Sequence, residues 1–154
     1  MAKSKPPRKK RTIITTVKRG RIEFTKSGLA FVIVEGSEKD IMIKHGHSGN
    51  ALDGDEVRVE LLETKKKGRQ EGAVTEVITR KQTEFSGRVK VQNHFAFLIP
   101  DKQNMPVDIF IPLQNLHDAK HADHAVVRIV SWDNKSKNPV GEVIRLLTHE
   151  SPNE

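Results

Sequence analysis

Two short segments of the sequence place large apolar side chains two residues apart, with an alanine between them. They are Leu29-Ala30-Phe31 and Phe95-Ala96-Phe97. If these segments are β-strands, residues two apart share a face and the alanine points to the opposite face. Exposed rings beside cations can stack on the bases of a single-stranded nucleic acid, at about 1–3 kcal/mol per base. The spacing therefore predicts a base-stacking surface on each segment.

The elements that would position these side chains recur along the chain. Gly20-Arg21-Ile22-Glu23-Phe24 recurs as Gly87-Arg88-Val89-Lys90-Val91, and Asp40-Ile41-Met42-Ile43 recurs as Asp108-Ile109-Phe110-Ile111. Three further blocks recur in the same order, and the offset is 67 residues at the first block and 69 at the last. The blocks are short, rich in β-branched residues and bounded by turn residues, as strands are. The repeat predicts two homologous units of five strands each.

Each unit has fewer than about 70 residues, a length at which a single hydrophobic core is marginal. Closing a five-stranded sheet into a barrel removes its exposed edges. We therefore predict an all-β chain with two tandem five-stranded OB-fold β-barrels at residues 17–80 and 81–148. Residues 1–16 are predicted to be a disordered basic tail, and residues 149–154 a disordered end.

Burial in the core is the alternative interpretation of the phenylalanines. Five of the six phenylalanines fall in the first three predicted strands of a unit, which favours a shared outer surface over five separate core positions. Isoleucine, valine and leucine at the alternate positions are sufficient to fill the barrel interior. We expect the rings to face outward.

The basic charge is concentrated at the amino terminus. The chain has 27 Lys and Arg against 20 Asp and Glu, and residues 1–21 contain nine of the basic residues and no acidic one. Such a tail suits phosphate binding, although similar tails occur on proteins that bind no nucleic acid. Cysteine is absent, which excludes disulfides and thiolate zinc sites and fits a cytoplasmic protein. No apolar run approaches the roughly 18 residues of a membrane span, so no membrane partner is expected.

The strand-two and strand-three blocks resemble the ribonucleoprotein motifs of cold-shock domains. Ser27-Gly28-Leu29-Ala30-Phe31-Val32 and Asn93-His94-Phe95-Ala96-Phe97-Leu98 are similar to the first motif, and the blocks that begin at Asp40 and Asp108 are similar to the second. The tandem arrangement over residues 17–148 resembles the N-terminal half of the ribonuclease R and ribonuclease II exoribonucleases. The resemblance implies that both OB barrels are of the cold-shock type.

Carried over position by position, the resemblance implies an RNA-binding set on both barrels. Its members are Phe24, Lys26, Leu29, Phe31, Met42, Lys44 and His45 in the first unit and Lys90, His94, Phe95, Phe97 and Phe110 in the second. Leu29 and Met42 in the first unit, and Val91 and Leu113 in the second, stand where the family has aromatic rings, so we expect modest affinity from each unit. Simple alternation with Ile22 would turn Phe24 inward.

In that family, clustered aspartates on a separate, later domain hydrolyse phosphodiesters with metal ions. The aspartates of this chain are scattered over predicted loops and strand ends. We therefore expect no catalysis and no cofactor in this chain alone, with Mg²⁺ bound only by the absent catalytic domain of a longer parent enzyme. His117, His121 and His124 have a spacing that would suit zinc on a helix, but they align with a loop, which favours a solvated turn.

The sequence thus predicts a region that binds single-stranded RNA and feeds it to the catalytic domain of a ribonuclease R-like 3′-to-5′ exoribonuclease. The expected partners are RNA and that domain, with no small-molecule substrate. Two alternatives remain open. One is a stand-alone RNA chaperone or translation-associated OB-fold protein, and the other is a protein–protein interaction module on the same barrel face.

Overall fold

The computed structural model describes residues 16–63, 68, 70–133 and 135–147. The first five strands are β1 (Val17–Phe24), β2 (Ala30–Ile33), β3 (Ile41–Ile43), β4 (Glu56–Leu62) and β5 (Gln70–Thr79). The next five are β6 (Glu84–Val91), β7 (Phe95–Pro100), β8 (Ile109–Pro112), β9 (His124–Ser131) and β10 (Val140–Leu146), with a 3₁₀ helix at Leu113–Asn115 after β8. The tail and the carboxyl-terminal end that the sequence predicts to be disordered lie outside the described residues, apart from Thr16.

The strands close into two barrels of the same topology. The first has the order β1-β2-β3-β5-β4, and the second has the equivalent order, β6-β7-β8-β10-β9. In each barrel the third and fifth strands pair in parallel, and the other pairs are antiparallel. The predicted all-β fold of two five-stranded OB-type barrels is confirmed. Within the described ranges, no helix has the length and apolar character needed to cross a bilayer.

Strand alternation fills each barrel with small and branched apolar side chains. In the first barrel the inward residues include Ala30 and Val32 of β2, and in the second they include the equivalent Ala96 and Leu98 of β7. All four are at most 1% exposed. Residues two apart along these strands therefore share the opposite, outer face, as the sequence pattern predicts.

A glycine recurs in the middle of the first strand of both barrels because two backbones approach closely there. A β-carbon built at Gly20 would overlap the carbonyl oxygen of Ile33, and one built at Gly87 would overlap that of Ile99. No side chain fits either position without moving the neighbouring strand. This shared constraint is part of the internal repeat.

The turn before the fourth strand also repeats, but with different residues. The N–H of Gly54 donates to the carbonyl oxygen of Ile22, and the N–H of Ala122 donates to that of Val89, each at 2.8 Å. The φ angles are +87° at Gly54 and +74° at Ala122. For a residue other than glycine, this left-handed backbone conformation costs about 1–2 kcal/mol. The second barrel therefore carries a local strain that the first avoids.

A fully buried carboxylate lies where the first barrel meets the link to the second. Asp55 has no exposed side-chain surface. It accepts hydrogen bonds from the backbone N–H groups of Leu52 (2.8 Å) and Lys81 (3.1 Å), and it pairs with the Arg80 guanidinium at 2.7 Å. Burial raises the pKa of Asp55, while the two N–H groups and the Arg80 charge oppose that rise.

Arg80 extends this network to the second barrel. Its guanidinium lies 5.5 Å from the ring centroid of Trp132, a geometry in which a cation is attracted to the aromatic face. Asn50 donates from Nδ2 to the carbonyl oxygen of Trp132 at 3.2 Å. We call Asn50, Asp55, Arg80 and Trp132 the interbarrel lock, because together they hold the two barrels against each other.

Candidate nucleic-acid interface

Three phenylalanine rings meet on the outer face of the second barrel. Phe97 on β7 pairs directly with Phe110 on β8, and Phe95 lies two residues before Phe97 on the same face. The ring centroids of Phe95 and Phe97 are 5.4 Å apart, and each of these rings lies 5.7 Å from Phe110. All three side chains are partly exposed. We call these three rings the aromatic cluster.

Cationic and polar groups border the aromatic cluster. Lys90 on β6 is the direct strand partner of Phe97 and is exposed. His94 is exposed in the turn that leads into β7. Asp108 lies beside Phe97 in a neighbouring hollow, where burial raises the pKa of its carboxyl against the opposing charge of Lys90. The cluster thus combines apolar rings with a positive neighbour, as a base-stacking surface requires.

The equivalent face of the first barrel has the opposite charge at the matching position. Phe31 on β2 is half-buried, and its direct strand partners are Glu23 on β1 and Met42 on β3. Glu23 stands where the second barrel has Lys90. Glu23 is paired with Arg21 at 3.0 Å, so a phosphate approaching Phe31 would meet a neutralised ion pair, whereas at Phe97 it would meet the ammonium group of Lys90. The difference between Glu23 and Lys90 is visible in the sequence when the two units are aligned.

Two of the first barrel's expected stacking residues are buried. Phe24 is 7% exposed and packs in the barrel core with Ile22, because the two residues share a strand face. Met42 is 8% exposed, lying between its strand partners Phe31 and Glu71. The expectation of outward-facing rings is therefore wrong for Phe24, and Met42 offers little surface for stacking.

The remaining expected residues of the first barrel lie at the surface. Leu29 is 37% exposed, and Lys26 and His45 are exposed in turns that flank the second and third strands. The Lys44 ammonium lies 3.3 Å from a carboxylate oxygen of Glu71. Glu71 therefore partly neutralises Lys44, which makes this cation less available to a phosphate.

The three closely spaced histidines have separate partners. His117 pairs with Glu142 and His124 pairs with Asp101, each at 2.7 Å, while Nδ1 of His121 accepts a backbone N–H. The hydrogen bond from His124 holds the pKa of Asp101 below its usual range. In the part of the chain that the structure describes, no three His, Cys, Asp or Glu side chains are grouped to hold a metal ion.

A cleft between the barrels is the feature for which the sequence pattern contains the least signal. It has a volume of about 700 Å³ and is lined by the 45–50 loop of the first barrel and by residues 106–107 and 135–137 of the second. These loops are far apart in the sequence, so only the packing of the two barrels creates the cleft. Lys135 and Lys137, which follow Trp132 closely in the sequence, are the only local feature of the sequence that could have indicated this cleft.

The fold and the aromatic cluster define a protein with tandem OB barrels and a group of three partly exposed rings on the second barrel. Residues 20–77 match the ribonuclease B OB domain, and residues 97–154 match the cold shock domain. Ribonuclease R of Thermotoga maritima is 30% identical over 132 residues, which cover 85% of this chain and 18% of that protein. Ribonuclease R of Escherichia coli is 25% identical over 129 residues, covering 84% and 16%. The chain therefore contains regions that match a ribonuclease B OB domain and a cold shock domain, and over most of its length it is similar to part of ribonuclease R.

Solved structures share the same fold. The RNase R of Mycoplasma genitalium, in complex with ribose-methylated single-stranded RNA, has a TM-score of 0.74 at 15% identity, over 84% of this chain and 21% of that one. Yeast Ssd1, a pseudonuclease, has a TM-score of 0.74 at 21% identity, over 88% and 23%. The chain spans less than a fifth of the two curated ribonuclease R relatives, at 18% and 16% of their lengths.

Proposed function

We propose that this chain binds single-stranded RNA, chiefly on the aromatic cluster of the second barrel, and feeds it to the catalytic domain of a ribonuclease R-like 3′-to-5′ exoribonuclease. The observation that carries the proposal is the set of three partly exposed rings opposite Lys90. Base stacking tolerates any sequence, because every base has a π-face. An enzyme that degrades RNA of varied sequence needs that kind of contact.

The relatives support RNA as the ligand. The curated relatives are named ribonuclease R, and the Mycoplasma genitalium structure holds single-stranded RNA. We place the parent enzyme in the cytoplasm and its Mg²⁺ in the catalytic domain. The described residues of this chain contain no group of carboxylates suited to that metal, so we assign no hydrolytic step to them.

The charges predict unequal roles for the two barrels. The second barrel offers three rings and Lys90, whereas the first offers Phe31 flanked by Glu23. The Arg21–Glu23 ion pair beside Phe31 has no net charge, whereas Lys90 attracts phosphate, so the phosphate backbone should contact the second barrel more closely than the first. The second barrel is thus the main binding unit of the proposal.

The test is a titration of the purified chain with a labelled uridine oligomer of about 16 nucleotides, near the upper site size of one OB fold. We expect binding that weakens with salt, with a log–log slope of about −0.7 for each phosphate contact. The RNA should stay at full length after incubation with Mg²⁺. A duplex of the same length is the control and should bind more weakly, because its bases are not free to stack.

Two results would change the proposal. Shortening of the oligomer from its 3′ end by the pure chain would place hydrolysis in these barrels. If the chain does not bind RNA at low salt, RNA is not its ligand. That result would favour the protein–protein interaction module.

A further inference from the structure

We infer that the interbarrel lock is operated by a proton. While Asp55 is ionised the lock is closed and the two barrels move as one body, and when Asp55 takes up a proton the lock opens and the barrels move separately. The device lies in the attachment of one barrel to the other and works without any ligand. It therefore goes beyond the proposed function and is testable in the absence of RNA.

The turn that carries Asp55 reaches into the second barrel. Leu52 lies between β3 and β4 of the first barrel, yet it is 1% exposed and belongs to the core of the second barrel together with Phe85 and Leu116. Asn50, two residues earlier, donates to the carbonyl oxygen of Trp132 at 3.2 Å. This turn is an attachment between the barrels, so the contacts that hold its shape also hold the barrels together.

The Asp55 carboxylate holds the shape of the turn by accepting from three donors. Its Oδ2 accepts the N–H of Leu52 at 2.8 Å and the Arg80 guanidinium at 2.7 Å, and its Oδ1 accepts the N–H of Lys81 at 3.1 Å. A proton on Oδ2 places a donor against two donors and removes the charge that holds the guanidinium. Arg80 is the donor that leaves, because its long side chain is partly exposed, whereas the N–H of Leu52 is part of the backbone.

Arg80 transmits the loss of that charge to the second barrel. Its guanidinium donates to the carbonyl oxygen of Asn50 at 3.0 Å and lies 5.5 Å from the ring centroid of Trp132. A partly buried cation without its countercharge is strongly disfavoured. When Asp55 is neutral, the guanidinium therefore moves to water. Its contacts with Asn50 and Trp132, which belong to the attachment, are lost in the same step.

The groups around Asp55 decide how tightly it binds the proton. The neighbouring charged groups are Asp53 in its own turn, Arg19 and Glu56 on the adjacent strands, and Arg80 and Lys81 in the link between the barrels. Arg19 and Glu56 pair with each other at 2.6 Å. Burial has the largest influence on the pKa of Asp55 and raises it, and Asp53 acts in the same direction. The two backbone N–H groups and the Arg80 charge act in the opposite direction, and the net pKa is raised.

Acidification favours the open lock. The Arg80 charge lowers the pKa of Asp55 only while the lock is closed, so the open state binds the proton more tightly than the closed state does. One proton shifts the ratio of open to closed by up to about tenfold per pH unit. The first barrel stays folded, because a carboxyl whose folded pKa lies above its unfolded value contributes its full stability at low pH and loses it only as the pH rises.

The test follows the isotope-labelled chain by nuclear magnetic resonance between about pH 7.5 and pH 4, a range that ends near the ordinary pKa of an aspartate. Trp132 is the single tryptophan, so its indole N–H gives one resonance that reports on the lock. Amide relaxation gives a rotational correlation time for each barrel. We expect one shared correlation time near neutral pH and two shorter ones at low pH. The indole shift should follow a one-proton curve with a midpoint above the ordinary aspartate value.

Two variants assign the transition to Asp55. Asp55→Asn keeps the shape of the side chain but carries no charge, so its barrels should tumble separately even near neutral pH. Glu76→Gln is the matched control, because it removes a carboxylate from the exposed ion pair with Arg58 inside the first barrel. This control should keep the wild-type transition. The wild-type titration remains decisive if Asp55→Asn does not fold.

Three results would overturn the inference. The first is one shared correlation time down to the pH at which the chain unfolds, and the second is a transition that Asp55→Asn retains. The third is a loss of the strand signal in circular dichroism at the same midpoint, which would mean that a barrel unfolds instead of detaching. None of these measurements contains RNA, so a negative result leaves the proposed function standing.

Discussion

Replacing Arg80 by methionine is expected to destabilise the chain by about 3–5 kcal/mol, because a buried carboxylate loses its countercharge. Asp55 is fully buried and lies 2.7 Å from the guanidinium. The substitution keeps an unbranched side chain of similar length but removes the charge, the hydrogen bond to the carbonyl oxygen of Asn50 and the contact with Trp132. Urea denaturation followed by the fluorescence of Trp132, the single tryptophan, and by circular dichroism measures the loss.

The matched control is Arg58→Met. Arg58 forms an ion pair with Glu76 at 2.6 Å, but both side chains are about half exposed, so its loss should change stability by less than about 1 kcal/mol. Equal and small effects of the two substitutions would contradict the role of the buried pair.

The effect of Arg80→Met should also depend on pH. Burial already raises the pKa of Asp55, and the Arg80 charge opposes that rise. Without Arg80 the pKa in the folded state should lie further above its unfolded value, so the folded state binds the proton more tightly than the unfolded state does. The variant's deficit should therefore shrink as the pH falls and grow as the pH rises through that pKa. A deficit that is independent of pH would mean that Asp55 is not the group left unpaired.

Replacing Phe97 by alanine is expected to weaken RNA binding by about 1–3 kcal/mol, or roughly 5- to 150-fold, while the barrel stays folded. Phe97 contacts both other rings of the aromatic cluster and faces outward between buried Ala96 and Leu98. The salt slope should change little, because a ring contacts a base and not a phosphate. RNA titration at several salt concentrations, with a melting curve for each variant, gives both quantities.

Two controls bracket this result. Phe31→Ala removes the matching ring of the first barrel, next to Glu23, and should weaken binding less than Phe97→Ala. Leu98→Ala empties a core position beside Phe97 and should destabilise the fold by about 2–5 kcal/mol. If Phe97→Ala unfolds the barrel as Leu98→Ala does, the ring is a core residue. If it changes neither stability nor affinity, the aromatic cluster is not the RNA surface.

The two barrels could be predicted because strand alternation and the internal repeat can both be read directly from the sequence. The two-residue period of a β-strand placed the side chains of Ala96 and Leu98 inside the barrel and that of Phe97 outside it. The same rule placed Phe24 inside, and where the family resemblance disagreed with alternation, alternation was correct. Both barrels could therefore be predicted strand by strand.

The interbarrel lock and the cleft between the two barrels could not be predicted in this way. Asp55 and Arg80 are 25 positions apart, and nothing in their local sequence distinguishes a buried ion pair from two surface charges. The cleft depends on how two folded barrels pack, which no strand pattern encodes. The contrast between Glu23 and Lys90 is intermediate, because it is visible in the aligned repeat but gains meaning only when each residue is seen opposite a phenylalanine.

The most direct test of the account maps the RNA on the chain by nuclear magnetic resonance. Amide shifts of the isotope-labelled wild-type chain would be followed during titration with a uridine oligomer of about 16 nucleotides. We expect the largest changes in Phe95–Pro100 and Ile109–Pro112 and little change in Glu56–Leu62. Changes concentrated on the outer strands of the first barrel, with β7 and β8 unaffected, would contradict it.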